Sequence, residues 1–461
     1  MINHPQAAAR FNQNEARVNW HDQSLWFVRE KRDQAAFKVK GWEELRSLAS
    51  EIKAHTLSRL DEYLVQFEAN ALKNGVKVHW ASDADAHNKI VAEILNSHNA
   101  KKVVKSKSML TEECGLNHYL ERLDIEVVDT DLGERIVQLA KEPPSHIVMP
   151  AIHKKREEID ELFHRHLKTE RSGGDAVYLT RAARMHLRQK FLQADAAITG
   201  VNFAIAETGG IIVCTNEGNA DMGVHATPLH IACMGFEKLI PKLEHLGVFL
   251  RLLARSATGQ PITVYTSHYQ FAAQGKEMHI VIVDNGRSGQ LGKGDFRSSL
   301  HCIRCGACMN TCPVYRRSGG FSYGATIPGP IGSILSPGRD LEKYSSLPFA
   351  SSLCGSCTDV CPVKIDIHGQ LYKWRQVITE KTNVSIIKKL MMNIASFVFS
   401  HSIIYQITGK LTNKFLQQCP HFLVKIITSP WTKGRELPEI PDHRFTDWYR
   451  INRKNEQRKN S

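Results

Sequence analysis

Several features that would place the chain in a common class are missing from its sequence. Residues 1–32 contain no long apolar run and scatter their basic residues among Asn, Gln and Glu, which argues against a secretory signal. No Gly-x-Gly-x-x-Gly follows an apolar strand pattern, so nothing supports a nucleotide-binding Rossmann site. The formal net charge of +13 is not accompanied by a recognisable nucleic-acid module, and we therefore expect no nucleic-acid partner.

What is present is an ordinary globular composition with an unusual number of thiols. The 461 residues are 42% hydrophobic and 23% charged, which is typical of a folded chain with room for two or three domains. Eleven cysteines without an export signal indicate metal or redox chemistry rather than structural disulfides. We expect a cytoplasmic protein.

Apolar periodicity divides the chain into four parts. Residues 1–75 are predicted to be helical, with one long amphipathic helix over 42–74 capped by Gly75. Residues 76–294 alternate short apolar runs with helical patterns, which predicts an α/β domain with a mainly parallel sheet. The strands are expected at 76–80, 101–104, 125–128, 146–149, 211–214, 262–265 and 279–283. The helices are expected at 84–95, 111–123, 154–167 and 236–253.

The remaining sequence is predicted to form a small module and an extension. Residues 284–294 are rich in glycine and charge, and we interpret them as a linker to a cysteine-rich module over 295–370. Residues 371–461 are predicted to be helical and basic. Within them, 390–407 carries too many polar groups for a comfortable membrane span. An amphipathic helix packed on the protein is the simpler interpretation, and contact with a membrane surface stays open.

The first cysteine motif is Cys302-x2-Cys305-x2-Cys308-x3-Cys312-Pro313. This spacing is typical of a loop that wraps three thiolates around one four-iron cube, while the cysteine before proline binds the other cluster of a two-cluster ferredoxin. A zinc site would require separated cysteine pairs with four ligands in total. The motif therefore predicts an iron–sulfur protein.

The second motif, Cys354-x2-Cys357-x3-Cys361-Pro362, lacks the leading cysteine, and Ser351 occupies that position. Crossed ligation assigns Cys302, Cys305, Cys308 and Cys361 to cluster 1, and Cys312, Cys354 and Cys357 to cluster 2. We expect two 4Fe–4S clusters, the second with three cysteine ligands. The last ligand of this second cluster is left open: it is Ser351, water or a distant cysteine. Alternatively, the cluster has three irons and needs no further ligand. The distant candidates are Cys114, Cys214, Cys233 and Cys419, although each is expected to be a small buried hydrophobe.

The α/β domain carries weaker signals. Lys105 and Lys107 follow a predicted strand and precede a helix, where an anion could bind, although a solvated charge pair explains them equally well. Residues 199–210 and 215–219 concentrate small and amide side chains, which either form tight turns or line a site. His225 and His230 are weak acid–base candidates, and no catalytic residue is assigned.

Taken together, the motifs closely resemble the lactate utilisation protein B family over about residues 40–450. The matching segments are KSKSM (105–109), PPSHIVMPAIHK (143–154), AITGVNFAIAETG (197–209), TNEGNA (215–220), HIVIVDNGRS (279–288), CIRCGACMNTCPVY (302–315) and SLCGSCTDVCPVKI (352–365). The resemblance implies a lactate-utilisation α/β domain similar in fold to sugar-phosphate isomerases and coenzyme A transferases. It also implies a ferredoxin-like two-cluster module and a helical C-terminal extension.

The resemblance further implies a function that composition and spacing do not supply. Family members act with two partner proteins in oxidising L-lactate to pyruvate, and this subunit is regarded as the electron carrier. We therefore expect an electron-transfer subunit of a lactate-oxidising complex. The alternatives are a cluster subunit for glycolate or another 2-hydroxy acid, and a cluster-dependent redox sensor or scaffold.

Overall fold

The computed structural model describes residues 2–381, 386–418, 441 and 444–459. The chain forms two compact units, Met1–Ile378 and Thr379–Ser461. The first unit contains an α/β domain and both cysteine motifs, and the second contains C-terminal helices. The domain boundaries predicted at 75, 294 and 370 stay predictions.

Four helices precede the first strand: α1 His4–Phe11, α2 Glu15–Phe37, α3 Trp42–Ser58 and α4 Leu60–Lys73. The single helix predicted over 42–74 is therefore wrong, because the chain leaves helical geometry at Arg59. Leu45 and Ile52 of α3 pack into one hydrophobic core, whereas Leu60 and Phe67 of α4 pack into another. A straight helix could not have buried both faces in these two cores, and the turn between α3 and α4 resolves that conflict.

A six-stranded parallel sheet lies at the centre of the α/β domain. Its strands run in the order β1-β10-β7-β4-β2-β3, and every neighbouring pair is parallel. A second sheet has the order β8-β5-β6-β9 and contains antiparallel pairs. The strands are β1 Lys77–Ala81, β2 Lys102–Lys105, β3 Glu126–Asp129, β4 Ala196–Gly200, β5 Phe203–Ile205, β6 Gly210–Thr215, β7 Leu229–Gly235, β8 Leu239–Ile240, β9 Tyr265–Tyr269 and β10 Glu277–Val283. The predicted α/β class with a mainly parallel sheet is confirmed.

Two predicted strands are wrong because side chains take the backbone groups that a strand would have paired. Residues 146–149 form a loop, in which the Nδ1 atom of His146 accepts hydrogen bonds from the amides of Val148 and Met149, both at 3.0 Å. Residues 262–264 precede β9 rather than forming it, and the Val264 amide donates to Asn216 Oδ1 at 3.1 Å. The other five predicted strands correspond to β1, β2, β3, β6 and β10, displaced by one or two residues.

Helices alternate with strands along most of the α/β domain. They are α5 Ala84–Ser97, α6 Met109–Cys114, α7 Leu116–Glu121, α8 Leu132–Ala140, α9 Arg156–Leu167, α10 Ala176–Leu192, α11 Asn219–Ala226, α12 Leu246–Thr258 and α13 Arg287–Leu291. The helix predicted over 111–123 is divided by Gly115, whose φ of 67° is left-handed. The helix predicted over 236–253 begins only at Leu246, since Leu239–Ile240 pairs with β5 as a strand.

The segment predicted to be a linker is folded. It contains α13, and the buried Arg287 Nε donates to Glu237 Oε2 at 2.6 Å, while its Nη1 donates to Glu113 Oε1 at 3.1 Å. These three side chains join the end of the sheet to the residues that follow it. The linker interpretation is therefore wrong, because this segment forms a helix and its Arg287 belongs to a buried ion-pair network.

The cysteine-rich segment consists of short helices, and the C-terminal unit of longer ones. The former are α14 Ala307–Thr311, α15 Pro313–Ser318, α16 Gly329–Arg339, α17 Leu341–Tyr344, α18 Ser356–Asp359 and α19 Ile367–Lys381, and the latter are α20 Ile386–Ser400, α21 Ser402–Gln418 and α22 Phe445–Lys459. The amphipathic helix predicted over 390–407 is two helices. In the described part of the chain no single helix is long and apolar enough to cross a membrane; the bent pair Lys389–Ser400 and Ser402–Gln418, at 109°, meets that test only as a pair, by length and composition.

Lys105 is a charged residue that is buried in the central sheet. Its buried Nζ lies 2.8 Å from both Glu112 Oε1 and Asp129 Oδ1. Burial disfavours the charged amine, but the two carboxylates outweigh burial and hold the pKa of Lys105 well above its usual value. The hypothesis that Lys105 binds an external anion is therefore wrong, since both acids are supplied by the chain itself.

We expect Lys105→Met to lower the free energy of unfolding by about 3–5 kcal/mol, because two carboxylates lose their buried cation. Urea unfolding of anaerobic protein, followed by far-ultraviolet circular dichroism, measures this change. Lys102→Met, on the exposed side of the same strand, is the matched control and should be nearly neutral. A loss below about 1 kcal/mol in Lys105→Met would contradict the ion-pair argument.

Candidate iron–sulfur centre and the adjoining cavity

The first cysteine motif forms a loop followed by two short helices. Cys302 ends a 3-10 turn, Cys308 lies in α14, and Cys312 caps α15 by accepting the Tyr315 amide at 3.5 Å. Between Cys302 and Cys305, Arg304 has a left-handed φ of 61°, and its amide donates to Cys302 Sγ at 3.4 Å. The loop thus turns backbone N–H groups toward sulfur, which stabilises a negatively charged thiolate centre.

The second motif repeats this backbone. Leu353 has a φ of 57° and Gly355 a φ of 81°, which match the left-handed Arg304 and Gly306 of the first motif. In both copies the glycine precedes a short helix that carries the next cysteine, Cys357 in α18. The Ile365 amide donates to Cys361 Sγ at 3.4 Å. The two motifs are therefore structural repeats as well as sequence repeats.

The thiols of both motifs lie mostly in one hydrophobic core. Cys305, Cys308, Cys312, Cys357 and Cys361 are buried, Cys302 is half-buried and Cys354 is exposed. Burial and then neighbouring thiols raise the pKa of Cys357 to about 12, and burial raises that of Cys361 to about 11. A buried group of thiols fits a metal cluster, because the bound iron ions supply the positive charge that lets such thiols ionise.

The electrostatic influence of each thiol on its neighbours shows which of them lie together. After burial, the pKa of Cys305 is raised by Cys302 and Cys361. The pKa of Cys357 is raised in the same way by Cys312 and Cys354. Cys308 senses thiols of both groups, including Cys357. Cys361 therefore lies beside the first three cysteines of motif one, and Cys312 beside the first two of motif two.

Ser351 and the remaining cysteines have other surroundings. The Ser351 hydroxyl accepts a hydrogen bond from the Leu353 amide at 3.0 Å, so it stabilises the turn that leads into Cys354. Cys114 and Cys233 are buried in a core between the central sheet and its helices, as expected of small hydrophobes. Cys214 is half-buried in the wall of a cavity, and Cys419 lies outside the described residues.

Basic side chains from the N-terminal helices hold the cysteine loops. Arg46 of α3 donates to the Cys361 carbonyl through Nε at 3.0 Å and Nη2 at 2.8 Å, and Arg32 of α2 donates to the Val360 carbonyl at 3.1 Å. The amine of Lys53 is buried and donates to the carbonyls of Glu237 and Leu239. These residues are not evident from the sequence pattern, since helical periodicity alone gives α2 and α3 no role beyond packing. The signal available was a basic residue on the apolar face of a helix.

A cavity of about 550 Å³ adjoins the first cysteine loop. Gly200 and Gly235, at the carboxyl ends of β4 and β7, line it, and so do Arg304 and Cys305. Carboxyl ends of parallel strands are a usual place for ligand sites in α/β proteins. The ends of these parallel strands and the first cysteine motif therefore line the same cavity.

Some of the weaker sequence signals meet at this cavity and others do not. Lys107 lines it, with Nζ donating to the Val148 carbonyl at 2.6 Å, and Asn216 and Glu217 from the 215–219 segment line it too. His230 is instead buried against Thr199 Oγ1 at 2.8 Å, and burial lowers its pKa to about 3. The His225 ring donates through Nδ1 to the Asp221 carbonyl of its own helix at 2.7 Å. Neither histidine lines the cavity.

The cavity wall carries both acidic and basic groups. Burial and then the neighbouring Asp131 carboxylate raise the pKa of Glu217 to about 7. Burial and then the Arg304 guanidinium lower the pKa of Lys238 to about 8. Apolar side chains, including Ile147, Met149 and Leu253, also line the cavity.

Family profiles match residues 64–296 as a LUD domain, 298–365 as a 4Fe-4S dicluster domain and 373–454 as the C-terminal region of lactate utilisation protein B. "Lactate utilization protein B" of Bacillus cytotoxicus is 45% identical over 436 residues, covering 91% of each chain. The chain belongs to the lactate utilisation protein B family.

Other members of the lactate utilisation protein B family match to a similar extent. The protein of this name in Bacillus cereus strain B4264 is 43% identical over 434 residues, covering 91% of each chain. A crystal structure of a DUF162 family protein from Deinococcus radiodurans is 17% identical, covers 49% of this chain and 98% of its own, and has a TM-score of 0.27. The 4Fe-4S dicluster match agrees with two cysteine motifs in the same segment, and the chain carries two 4Fe–4S clusters.

The role of Arg46 generates a prediction. We expect Arg46→Met to cost about 1.5–3 kcal/mol of stability, because the Cys361 carbonyl loses charged hydrogen bonds. It should also speed the release of iron to a chelator, since the loop that holds Cys361 loses its anchor. Arg59→Met, which removes only an exposed ion pair with Glu62, is the control. Equal iron-release rates in the two variants would show that Arg46 does not hold this loop.

Proposed function

We propose that the chain is the iron–sulfur electron-transfer subunit of a system that oxidises L-lactate to pyruvate together with two partner proteins. The observation that carries this proposal is the pair of repeated, adjoining cysteine motifs in a chain of the lactate utilisation protein B family. The two-electron oxidation of lactate also releases two protons, whereas each cluster takes one electron at a time. Two clusters on one chain match that electron count, and breaking of the substrate C–H bond is left to another site.

We also propose the ligand sets derived from the motifs. Cluster 1 is held by Cys302, Cys305, Cys308 and Cys361, and cluster 2 by Cys312, Cys354 and Cys357. The mutual influence of the thiols supports this crossed arrangement, since Cys361 acts on the first group and Cys312 on the second. For the last iron of cluster 2, the Ser351 hydroxyl is the nearest candidate in sequence, because it begins the Cys354 turn.

The surroundings of the two ligand sets suggest different tasks. Cys354 is exposed, whereas the four proposed ligands of cluster 1 are buried or half-buried and Cys305 faces the internal cavity. An exposed ligand suits electron exchange with a partner protein, and a buried set suits exchange with whatever occupies the cavity. We place the subunit in the cytoplasm, where thiols stay reduced. Contact of the C-terminal helices with a membrane surface is left open.

Alanine variants of single cysteines test the ligand sets. We expect about eight irons in the wild-type chain and loss of one cluster in each of Cys305→Ala, Cys361→Ala and Cys354→Ala. Electron paramagnetic resonance of the dithionite-reduced proteins should show the same remaining cluster in the Cys305 and Cys361 variants, and a different one in the Cys354 variant. Cys114→Ala is the control and should keep both clusters. If the Cys361 variant matched the Cys354 variant, ligation would not be crossed.

Substrate-dependent reduction tests the function itself. We expect L-lactate to reduce the clusters of the anaerobic chain only when both partner proteins are present, as seen by electron paramagnetic resonance. Glycolate supplied at the same concentration should reduce them far more slowly, and dithionite serves as the positive control. Reduction by dithionite without any reduction by lactate and both partners would refute the lactate assignment. Faster reduction by glycolate would move the assignment to that acid.

A further inference from the structure

The end of the cavity beside the first cysteine loop has more positive charge than the chain neutralises. Arg287, Arg304 and Arg339 share the carboxylates of Glu113 and Glu237. Glu237 already pairs with Arg287 at 2.6 Å, so its contact with Arg304 is longer, at 3.5 Å. The Nη1 atom of Arg304 is buried and has no hydrogen-bond partner. Such a donor requires an acceptor, because a buried donor without a partner has lost its hydrogen bonds to water and gained none in return.

Lys238 adds a second cation at the same end. It follows Glu237 in a 3-10 turn and lines the cavity together with Arg304. Within the described residues its ammonium takes part in no hydrogen bond or ion pair, whereas the cavity-lining Lys107 and Lys154 are each bonded to a partner. The Arg304 guanidinium and the Lys238 ammonium are close enough to repel each other. An anion in the cavity would satisfy both groups.

The rest of the cavity indicates what kind of anion fits. Its walls combine apolar side chains such as Ile147 and Leu253 with the amide of Asn202 and the Glu217 carboxyl group. A volume of about 550 Å³ is large enough for an organic molecule rather than a single ion. When it is ionised, the Glu217 carboxyl group would repel a second anionic group and would accept hydrogen bonds from hydroxyl or amine groups.

We propose that this cavity binds an organic anion, whose carboxylate or phosphate group lies between Lys238 and the Nη1 atom of Arg304, beside the Cys302–Cys305 loop. This inference deepens the proposed function, on which it rests for the presence of a cluster at that loop. A bound anion adds negative charge near cluster 1, and therefore lowers the reduction potential of that cluster. By linkage, reduction of the cluster weakens binding of the anion to the same extent.

A simpler role for the same cations would be to offset the negative charge of the cluster thiolates alone. Cys302 does act on Lys238, raising its pKa after the larger effects of burial and the neighbouring side chains. That role requires no ligand in the cavity, and substitution of Lys238 would then change the cluster potential without any dependence on added anions. The two roles therefore differ in a measurable way.

Binding is tested on the full-length, anaerobically purified chain with both clusters in place and without partner proteins. The probes are L-lactate, pyruvate and inorganic phosphate, each compared with chloride at equal ionic strength, by calorimetry and by the midpoint of thermal unfolding. We expect at least one probe to bind the wild-type chain, with lactate or pyruvate indicating a carboxylate ligand and phosphate a phosphorylated one. Failure of all three to bind more tightly than chloride would overturn the proposal.

Variants at one position show where the anion binds. We expect Lys238→Gln to weaken binding of the positive probe at least tenfold, and Lys238→Arg to keep it within about threefold, because the charge is retained. Lys242→Gln is the matched control, since Lys242 is a nearby exposed lysine paired with Glu244, and it should bind as the wild type does. Iron content and thermal unfolding establish that each variant is loaded and folded. Wild-type affinity in a folded, loaded Lys238→Gln protein would overturn the proposal.

The reduction potential of cluster 1 gives a second readout. At a probe concentration that just saturates the wild type, we expect the potential to fall in the wild type and to fall clearly less in Lys238→Gln. A potential that does not respond to the bound probe in the wild type would contradict the placement beside the Cys302–Cys305 loop. Binding without lactate-driven reduction in the presence of partners would refute the proposed function while leaving the anion site in place.

Discussion

Thiols of the two cysteine motifs share one apolar core with side chains from the N-terminal helices and from the second sheet, such as Leu25, Leu45 and Phe203. A thiol in such a core keeps its proton, so it becomes a stable thiolate only when a metal centre supplies positive charge. Folding of this part of the chain and binding of the clusters are therefore coupled. The helices α2 and α3 depend on the same centre, because Arg32 and Arg46 donate to carbonyls of the loop that carries Cys361.

The position of that centre relative to the α/β domain gives the chain its second feature. The carboxyl ends of the parallel strands and the Cys302–Cys305 loop face one cavity, and Arg304 belongs to both because it lies between two proposed ligands and pairs with Glu237. A side chain in that position links the occupancy of the cavity to the charge of the cluster. The Arg287 network, which joins the sheet end to the same region, holds the two parts in register.

Several strands and the repeat of the cysteine motifs could be predicted from patterns over a few neighbouring residues. The strand β10, for example, is predictable because residues of a parallel sheet buried on both faces form a continuous apolar run. The repeat of the cysteine motifs was visible from spacing, and the left-handed Arg304 and Leu353 confirm that spacing as a repeated backbone. Predictions failed where one side chain bonds to the backbone of its own segment. His146, for example, accepts hydrogen bonds from two backbone amides that a strand would have paired.

The sequence by itself determined the fold class, the two clusters and the family, because each depends on local periodicity or on ligand spacing within a few residues. The tertiary structure alone decided that Lys105 is neutralised internally, that α3 and α4 enter different cores, and that Lys238 and Arg304 meet at a cavity. These facts depend on residues far apart in the chain, such as Lys105 and Asp129 or Arg46 and Cys361. Electrostatic interactions act through space, and no pattern along the chain records which charges folding will bring together.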